Sequence, residues 1–472
     1  MRNPALTALS LVGALLASAC ATPDLGPKPG AKVVGQQQLF AGQTADWPTQ
    51  DWWAVYGDPQ LTALIETGLS EAPTIAVAEA RLRRASALVA QAGAARLPTL
   101  STSATLAESK PSYNTGPPTP AALRGWNDTG RATLDFSYEL DLWGKTRAAI
   151  AAATSEEAAA KADTAAARLM VSTSIAAAYA DLARLFADRD VLVSTLALRE
   201  QTLALVRRRT DGGYDSEAEL AQAEVGPPLA RAELEAIDEQ IALTRLRLAS
   251  LMGQSPDRAA SIARPQVTGL RSLGLPAALP AALVARRPDL VAARWRAEAA
   301  SERIDVAHAA FYPNVNLVGL IGVQSLGIGN LADAGSSFES GGAVLGLPIF
   351  DGGRRKAGFK VARADYDAAI AGYDATLNLA LEEVADAVTS QQALERRLVE
   401  SREAQDAASR GWRLAKRRYT AGATDFTAVL VAEDRMLGTQ RAVSALESRR
   451  FILDLALVRA LGGGWREGDP PA

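Results

Sequence analysis

The run Val171-Ser-Thr-Ser-Ile175-Ala-Ala-Ala178-Tyr-Ala-Asp-Leu182-Ala-Arg-Leu185 sets apolar residues alternately four and three apart. Val171, Ala178, Leu185 and Leu192 form one seven-residue series, and Ile175, Leu182, Leu196 and Leu203 form a second, which Arg189 interrupts. This is the seam of a coiled coil. Read outward in both directions, the pattern predicts a single helix from Lys145 to Arg209 with almost nothing to break it. At 1.5 Å per residue such a helix spans roughly 100 Å, several times the width of a small domain. By itself an alanine-rich heptad equally fits a solvated structural coiled coil.

The stretch comes twice. Gln91-Ala-Gly-Ala-Ala-Arg-Leu-Pro98-Thr-Leu100 matches Val306-Ala-His-Ala-Ala-Phe-Tyr-Pro313-Asn-Val315, and Ala72-Pro73 matches Arg287-Pro288, both at an offset of 215. Arg209, Gly213 and Gly253 match Arg418, Gly422 and Gly462 at an offset of 209, so the second copy is six residues shorter. A register held this far marks a duplicated architectural unit. Each copy reads helix, proline, alternating segment, polar loop, alternating segment, very long helix, glycine turn and returning helix. At the turns Gly213 and Gly422 supply left-handed backbone, and Ser216 and Asp425 are placed to cap the next helix. Two antiparallel helical hairpins follow, with their tips at one end.

The boundaries are then residues 1–19 as a secretory signal, 20–59 as a tether and first peripheral segment, 60–254 as the first copy, 255–285 as a Pro-rich link, 286–462 as the second copy and 463–472 as a tail. In the first copy the long helix covers 145–209 and its return 215–252; in the second they cover 354–419 and 425–461. Arg2 and the apolar run Ala5 to Ala17 make the signal. Leu16-Ala-Ser-Ala-Cys20 resembles a lipobox, with Ala17 where Leu is usual, so Cys20 is expected to carry lipid. It is the chain's one cysteine, which excludes an internal disulfide. Cleavage removes Arg2 from the 50 basic residues and leaves 49 against 53 acidic, a balance that argues against a nucleic-acid partner. The aromatic cluster Trp47, Trp52, Trp53 and Tyr56, the link and the tail are expected to pack as a belt outside the helices.

Arg131 to Leu140 alternates cleanly, with Leu134, Phe136, Tyr138 and Leu140 on one face and Thr133, Asp135, Ser137 and Glu139 on the other. Residues 99–108, 315–324 and 341–350 are looser versions. Ten residues is the length of a tilted membrane-spanning strand. Beyond the signal no apolar run reaches about 18 residues, so any spanning falls to strands. Four strands cannot close around a channel, and lipid does not tolerate an open edge, so closure requires other copies. Two copies give eight strands, too few for an aqueous pore; three give twelve. The alternative is a periplasmic β-sandwich edge on a coiled-coil stalk. Ser109 to Gly130 and Ser325 to Ser340 read as longer outer loops.

Taken together, Trp52-Trp53 with Gly57-Asp58-Pro59, Arg286-Arg287-Pro288-Asp289-Leu290, Ala310-Phe-Tyr-Pro313, Pro348-Ile-Phe-Asp-Gly-Gly-Arg354, the turn from Arg418-Tyr419 to Gly422, and Ala460-Leu-Gly-Gly-Gly-Trp465 resemble the TolC-like outer-membrane factors. The similarity is to their lipoprotein, NodT-type branch serving resistance-nodulation-division efflux systems. It implies a homotrimer, mainly α with a β-barrel part: a twelve-stranded barrel in the outer membrane continued by a twelve-helix periplasmic α-barrel. The implied partners are an inner-membrane pump, a periplasmic membrane-fusion adaptor and outer-membrane lipid. The function implied is a passive duct for drugs, solvents or other small molecules. An outlet for one-step protein secretion and a periplasmic scaffold lipoprotein are the alternatives. Two departures stand out. Relatives carry Asp-Ala-Gln-Arg after the second tip where this chain has Val431-Ala-Glu433-Asp434, which alters the gate contacts, and Gly226-Pro227-Pro228 in the first returning helix should kink or break it.

The chain offers no catalytic constellation, cofactor motif or metal-ligating cluster, and a non-enzymatic role is expected. His308, the one histidine, is expected to be a packing or lumen residue. The residues to watch lie at three places. Arg418, Tyr419, Gly422, Thr424 and Asp425 with Gly213, Asp215 and Ser216 form the tips, expected to gate and to meet the adaptor. Arg413, Lys416, Arg417 and Arg418 could pair with the tip acids across neighbouring hairpins. Asp135, Glu139 and Asp141 share the polar parity of their strand and are expected to make an acidic lumen wall. Cys20 is the lipid anchor.

Overall fold

The computed structural model describes residues 23–32, 38–40, 50–114, 120–121, 124–265, 279–280 and 284–468. In chain order come α1 (Pro59–Glu71), α2 (Pro73–Ala94), β1 (Thr99–Ser109), β2 (Asn127–Leu140), α3 (Lys145–Asp211) and α4 (Glu217–Leu251). The second copy supplies α5 (Pro288–Ala309), β3 (Asn314–Leu326), β4 (Ser337–Gly346), α6 (Arg354–Thr420) and α7 (Phe426–Ala460). Both long helices are 67 residues and both returning helices 35, so from α2 and α5 onward the two copies match element for element. Gln38–Phe40 pairs with Leu279–Pro280 in a short ribbon.

The chain forms two compact units. One holds Arg83–Ala159 and Ala293–Gly372 with the chain up to Ala31; the other holds Lys32–Leu82, Ala160–Ala292 and Tyr373–Ala472. The first contains the sheet, antiparallel throughout in the order β1-β2-β3-β4. Its register sorts side chains by face, because directly opposite residues share one. The row Ser101, Asp135, Leu320, Ser340 lies on one side, and the row Leu140, Val315, Leu345 on the other. Leu100, Leu134, Phe136, Ile321 and Leu345 all belong to the second face and are exposed. Ser103 and Thr133 meet hydroxyl to hydroxyl at 2.9 Å on the first. The ladder passes so close to Gly322 that a Cβ there would lie 2.3 Å from the Ala132 carbonyl.

The fourth strand spans Ser337–Gly346, not 341–350 as its sequence pattern suggests. Asn314, where β3 begins, pairs with Gly346, so the chain beyond has no partner left. Pro348 could not donate to a ladder in any case. The polar stretch Ser337 to Ser340, read as loop, pairs instead with Val323 to Leu320.

In the second unit the heptad closes on a core. Val171, Ile175, Ala178, Leu182 and Leu185 are buried with Leu61, Ile65, Ile241, Leu248 and Phe451. Trp52, Trp53 and Tyr56 belong to the same core, edge to face at 5.5 and 6.2 Å, and so pack against the helices. Asp58 caps α1 through the Gln60 and Leu61 amides and accepts from the Tyr179 hydroxyl at 2.6 Å. By length and composition α3 could cross a membrane, contrary to the sequence expectation. Its most apolar window is 61% buried within the protein, the behaviour of a core helix.

The duplication is visible as repeated contacts. Gly253, at φ +76°, sits against the Glu71 carbonyl and Pro73; Gly462, at φ +85°, sits against Arg287 and Pro288. Arg287 reinforces the second joint. It donates to Glu383 at 2.6 Å, Asp289 at 2.8 Å and the Ala460 carbonyl at 3.1 Å. Helix α4 runs unbroken through Gly226-Pro227-Pro228, against the expectation of a break. Pro227 is buried, and Arg199 of α3 donates to the Gly226 carbonyl at 3.2 Å, tying this stretch to the neighbouring helix.

Candidate functional site

The tips are built by two equivalent turns. Tyr214 N donates to the Arg209 carbonyl and Ala423 N to the Arg418 carbonyl, both at 2.8 Å, with Gly213 and Gly422 at φ +74° and +72°. These are the six-to-one closures that finish a helix on a left-handed glycine. Ser216 then opens α4 with a reciprocal capping box to Glu219, and Asp425 opens α7 by accepting from the Ala428 amide at 3.0 Å. Thr424, half-buried, precedes that cap. Ser216 and Asp425 are thus explained by capping alone.

Asp215 and Tyr419 do more. The Tyr419 hydroxyl donates a short hydrogen bond to Asp215, joining the tip of one hairpin to the other. Arg209 donates to the same carboxylate at 3.0 and 3.2 Å and lies 4.5 Å over the Tyr419 ring. Beneath them Val206, Ala223, Tyr419, Phe426 and Val429 form a separate apolar cluster. Burial pushes the Asp215 carboxyl up, but the Arg209 and Tyr419 hydrogen bonds outweigh it and hold the group below the usual carboxylate range. Arg418, by contrast, is exposed and gives the turn only its carbonyl. Within the chain Asp215 is met by Arg209. Arg209 entered the sequence argument only as a register mark; its position six residues before Asp215, across a glycine turn, was the available signal.

A second polar contact lies further along the hairpins. Arg199 of α3 reaches Glu433 and Asp434 of α7, each at 3.8 Å. Glu433 is 2% exposed, and its Oε2 has no hydrogen-bond partner among the described residues. Burial raises its carboxyl against the pull of Arg199. This chain thus places two acids on α7 and sets the arginine that meets them on α3.

The three strand acids separate. Asp135 lies within β2 on the polar face and accepts from the Thr133 hydroxyl at 2.8 Å. Glu139, on the same face at the strand's end, pairs with Lys145 at 3.0 Å. Asp141 lies beyond the strand and caps α3, accepting from the Thr146 and Arg147 amides at 3.1 and 3.0 Å. His308 packs edge-on against Tyr312 at 5.4 Å.

A four-stranded sheet with an apolar and a polar face and two 67-residue helices, in a duplicated chain, make a distinctive set of elements, and the sequence matches accordingly. Residues 64–254 and 279–463 match the outer membrane efflux protein family. The chain belongs to that family. The fusaric acid resistance protein FusA of Burkholderia cepacia is 34% identical over 77% of this chain and 71% of its own. Outer membrane protein OprJ of Pseudomonas aeruginosa is 31% identical over 99% and 98%. The outer membrane protein VceC of Vibrio cholerae is 44% identical and superposes over 89% of this chain and 100% of its own with a TM-score of 0.83. The chain is an outer-membrane efflux channel component. Cys20, the expected anchor of this efflux channel, lies outside the described residues.

Proposed function

We propose that three copies of this efflux channel close into a twelve-stranded barrel continued by twelve helices, forming a passive duct. The observation that carries this reading is the sheet itself. Its four strands end in two unpaired edges, β1 and β4, while one face is apolar and exposed and the other polar. Open edges are not stable in lipid, and eight strands fill their own interior with side chains, so three copies are the smallest set that leaves water inside. The cargo is small toxic organic molecules, in keeping with the resistance functions named for FusA, and the duct has no catalytic role. A periplasmic adaptor and an inner-membrane pump deliver that cargo, and Cys20 carries lipid.

In this reading the bond from Tyr419 to Asp215, steadied by Arg209, holds neighbouring hairpin tips together and keeps the resting end narrow. Asp135 is the lumen acid, since Lys145 and Arg147 offset Glu139 and Asp141. The test is native mass of the detergent-extracted protein followed by conductance in a planar bilayer. A trimer with ion conductance is expected. A monomer or dimer, or a trimer that never conducts, would sink the proposal, and the latter would favour a scaffold.

A further inference from the structure

Where the strands hand over to the helices, the chain forms a half-open cavity of about 480 Å³. It is lined by both Glu139 and Leu140, consecutive residues on opposite faces of β2, so it lies under the end of the sheet rather than on either face. The lining divides by chemistry. Trp143 and Tyr312 stack at 4.7 Å and 19°, and the Trp143 indole is fixed by donating to the Pro313 carbonyl at 2.7 Å. Glu139, Asp141 and Lys145 supply two carboxylates and one ammonium. Around this level Leu142, Leu345, Ile349 and Phe350 are exposed, Phe350 by 90%.

We propose that this cavity binds the headgroup of a zwitterionic glycerophospholipid, phosphatidylethanolamine in kind. Its level is the inner boundary of the membrane, because the spanning strands end here and the long helices begin. Amphipathic aromatic rings settle at that boundary, apolar body toward lipid and polar tip toward water. The ammonium of the headgroup is drawn to Glu139 and Asp141 and to the open ring face of Trp143, where a partly desolvated cation is attracted by the ring quadrupole. The phosphate lies toward Lys145. The acyl chains run over Leu142, Ile349 and Phe350, apolar surface that otherwise faces water. The balance of charge decides the headgroup. Glu139 and Asp141 are matched by Lys145 and Arg147, so a zwitterion suits a site with no net charge, whereas a purely anionic lipid would leave its own charge unmatched.

The experiment uses the full-length purified protein, stripped in detergent and titrated with either dioleoyl phosphatidylethanolamine or dioleoyl phosphatidylglycerol, with bound lipid counted by native mass spectrometry. The expected result is about one phosphatidylethanolamine per chain, held about tenfold more tightly than phosphatidylglycerol. That preference should vanish in Trp143→Ala and in Glu139→Gln and persist in Asp135→Asn. The Glu139→Gln variant keeps the side chain's shape and decides the matter if Trp143→Ala fails to fold. Equal binding of the two lipids, phosphatidylglycerol favoured, no lipid because a neighbouring chain fills the cavity, or variants that bind as wild type would each overturn it. Bilayer conductance of the same preparations reports separately whether the channel itself is intact.

Discussion

Asp215 accepts three hydrogen bonds from two partners and Glu433 has almost none, and the difference sets what each does with pH. The bond network at Asp215 depresses its carboxyl, so its contribution is present above the unfolded value of 3.8 and is lost as pH falls below it. Glu433 has the opposite sign. Its carboxyl is raised above the ordinary 4.5, so the folded state holds the proton more tightly than the unfolded, and stability falls as pH rises upward from that value. Glu433→Gln should flatten this part of the profile and raise the melting temperature at neutral pH. Thermal melts across the acid range check it; an unchanged slope would show that Arg199 neutralises the charge fully. At the tips, Tyr419→Phe removes one charge-assisted hydrogen bond, worth about 1.5–3 kcal/mol. If that bond holds the resting end narrow, leak current should rise about tenfold or more, and Asp215→Asn should leak at least as much.

At the scale of elements, glycines that look alike in sequence carry different loads. Gly213 needs only its left-handed backbone, since a Cβ there would meet nothing, and Gly213→Ala should cost about 1 kcal/mol. Gly253 has the same backbone and also faces the Glu71 carbonyl at 2.6 Å, so Gly253→Ala should cost several times more. Chemical or thermal unfolding of the two variants side by side measures the difference. Gly322 carries no backbone demand at all, yet Gly322→Val should prevent assembly, because its added atoms would fall on the β2 backbone at Ala132. Heat-resistant oligomer on a gel is the readout. The paired prolines of α4 show the converse: a strong local signal overridden by tertiary packing, with Pro227 buried and Arg199 on the neighbouring carbonyl.

For the whole molecule, the register leaves Asp135 as the acid that bears on conduction. Glu139 and Asp141 have their charge offset within a few residues, by Lys145 and Arg147. Any cation preference of the open duct should therefore fall in Asp135→Asn and stay nearly unchanged when the whole pair is removed in Glu139→Gln with Lys145→Gln. Reversal potentials in a salt gradient separate the two. A preference that follows Glu139 instead would mean that Lys145 does not screen it in the assembled channel.

Period and punctuation belong to local chain chemistry, and they were legible. The 3-4 spacing from Val171 onward, the prolines at 98 and 313, the glycines at 213 and 422 and the two offsets gave the helices within two or three residues, the hairpins and the duplication. The first and third strands were equally plain, since alternation needs no partner to be seen, while the second begins at Asn127, four residues inside the stretch read as loop. The fourth was misplaced by four residues because its ends are set by where β3 begins, a fact of pairing rather than of pattern. The same limit applies to the site. Caps such as Ser216 and Asp425 are local and can be read from spacing, whereas the bond from Tyr419 to Asp215, 204 residues apart, exists only because two hairpins lie side by side. The sequence by itself determined which segments are helix, turn and strand, because those choices are made within a few residues. Tertiary structure alone decided which charges meet, because a carboxylate's partner is chosen by packing, and packing is long-range.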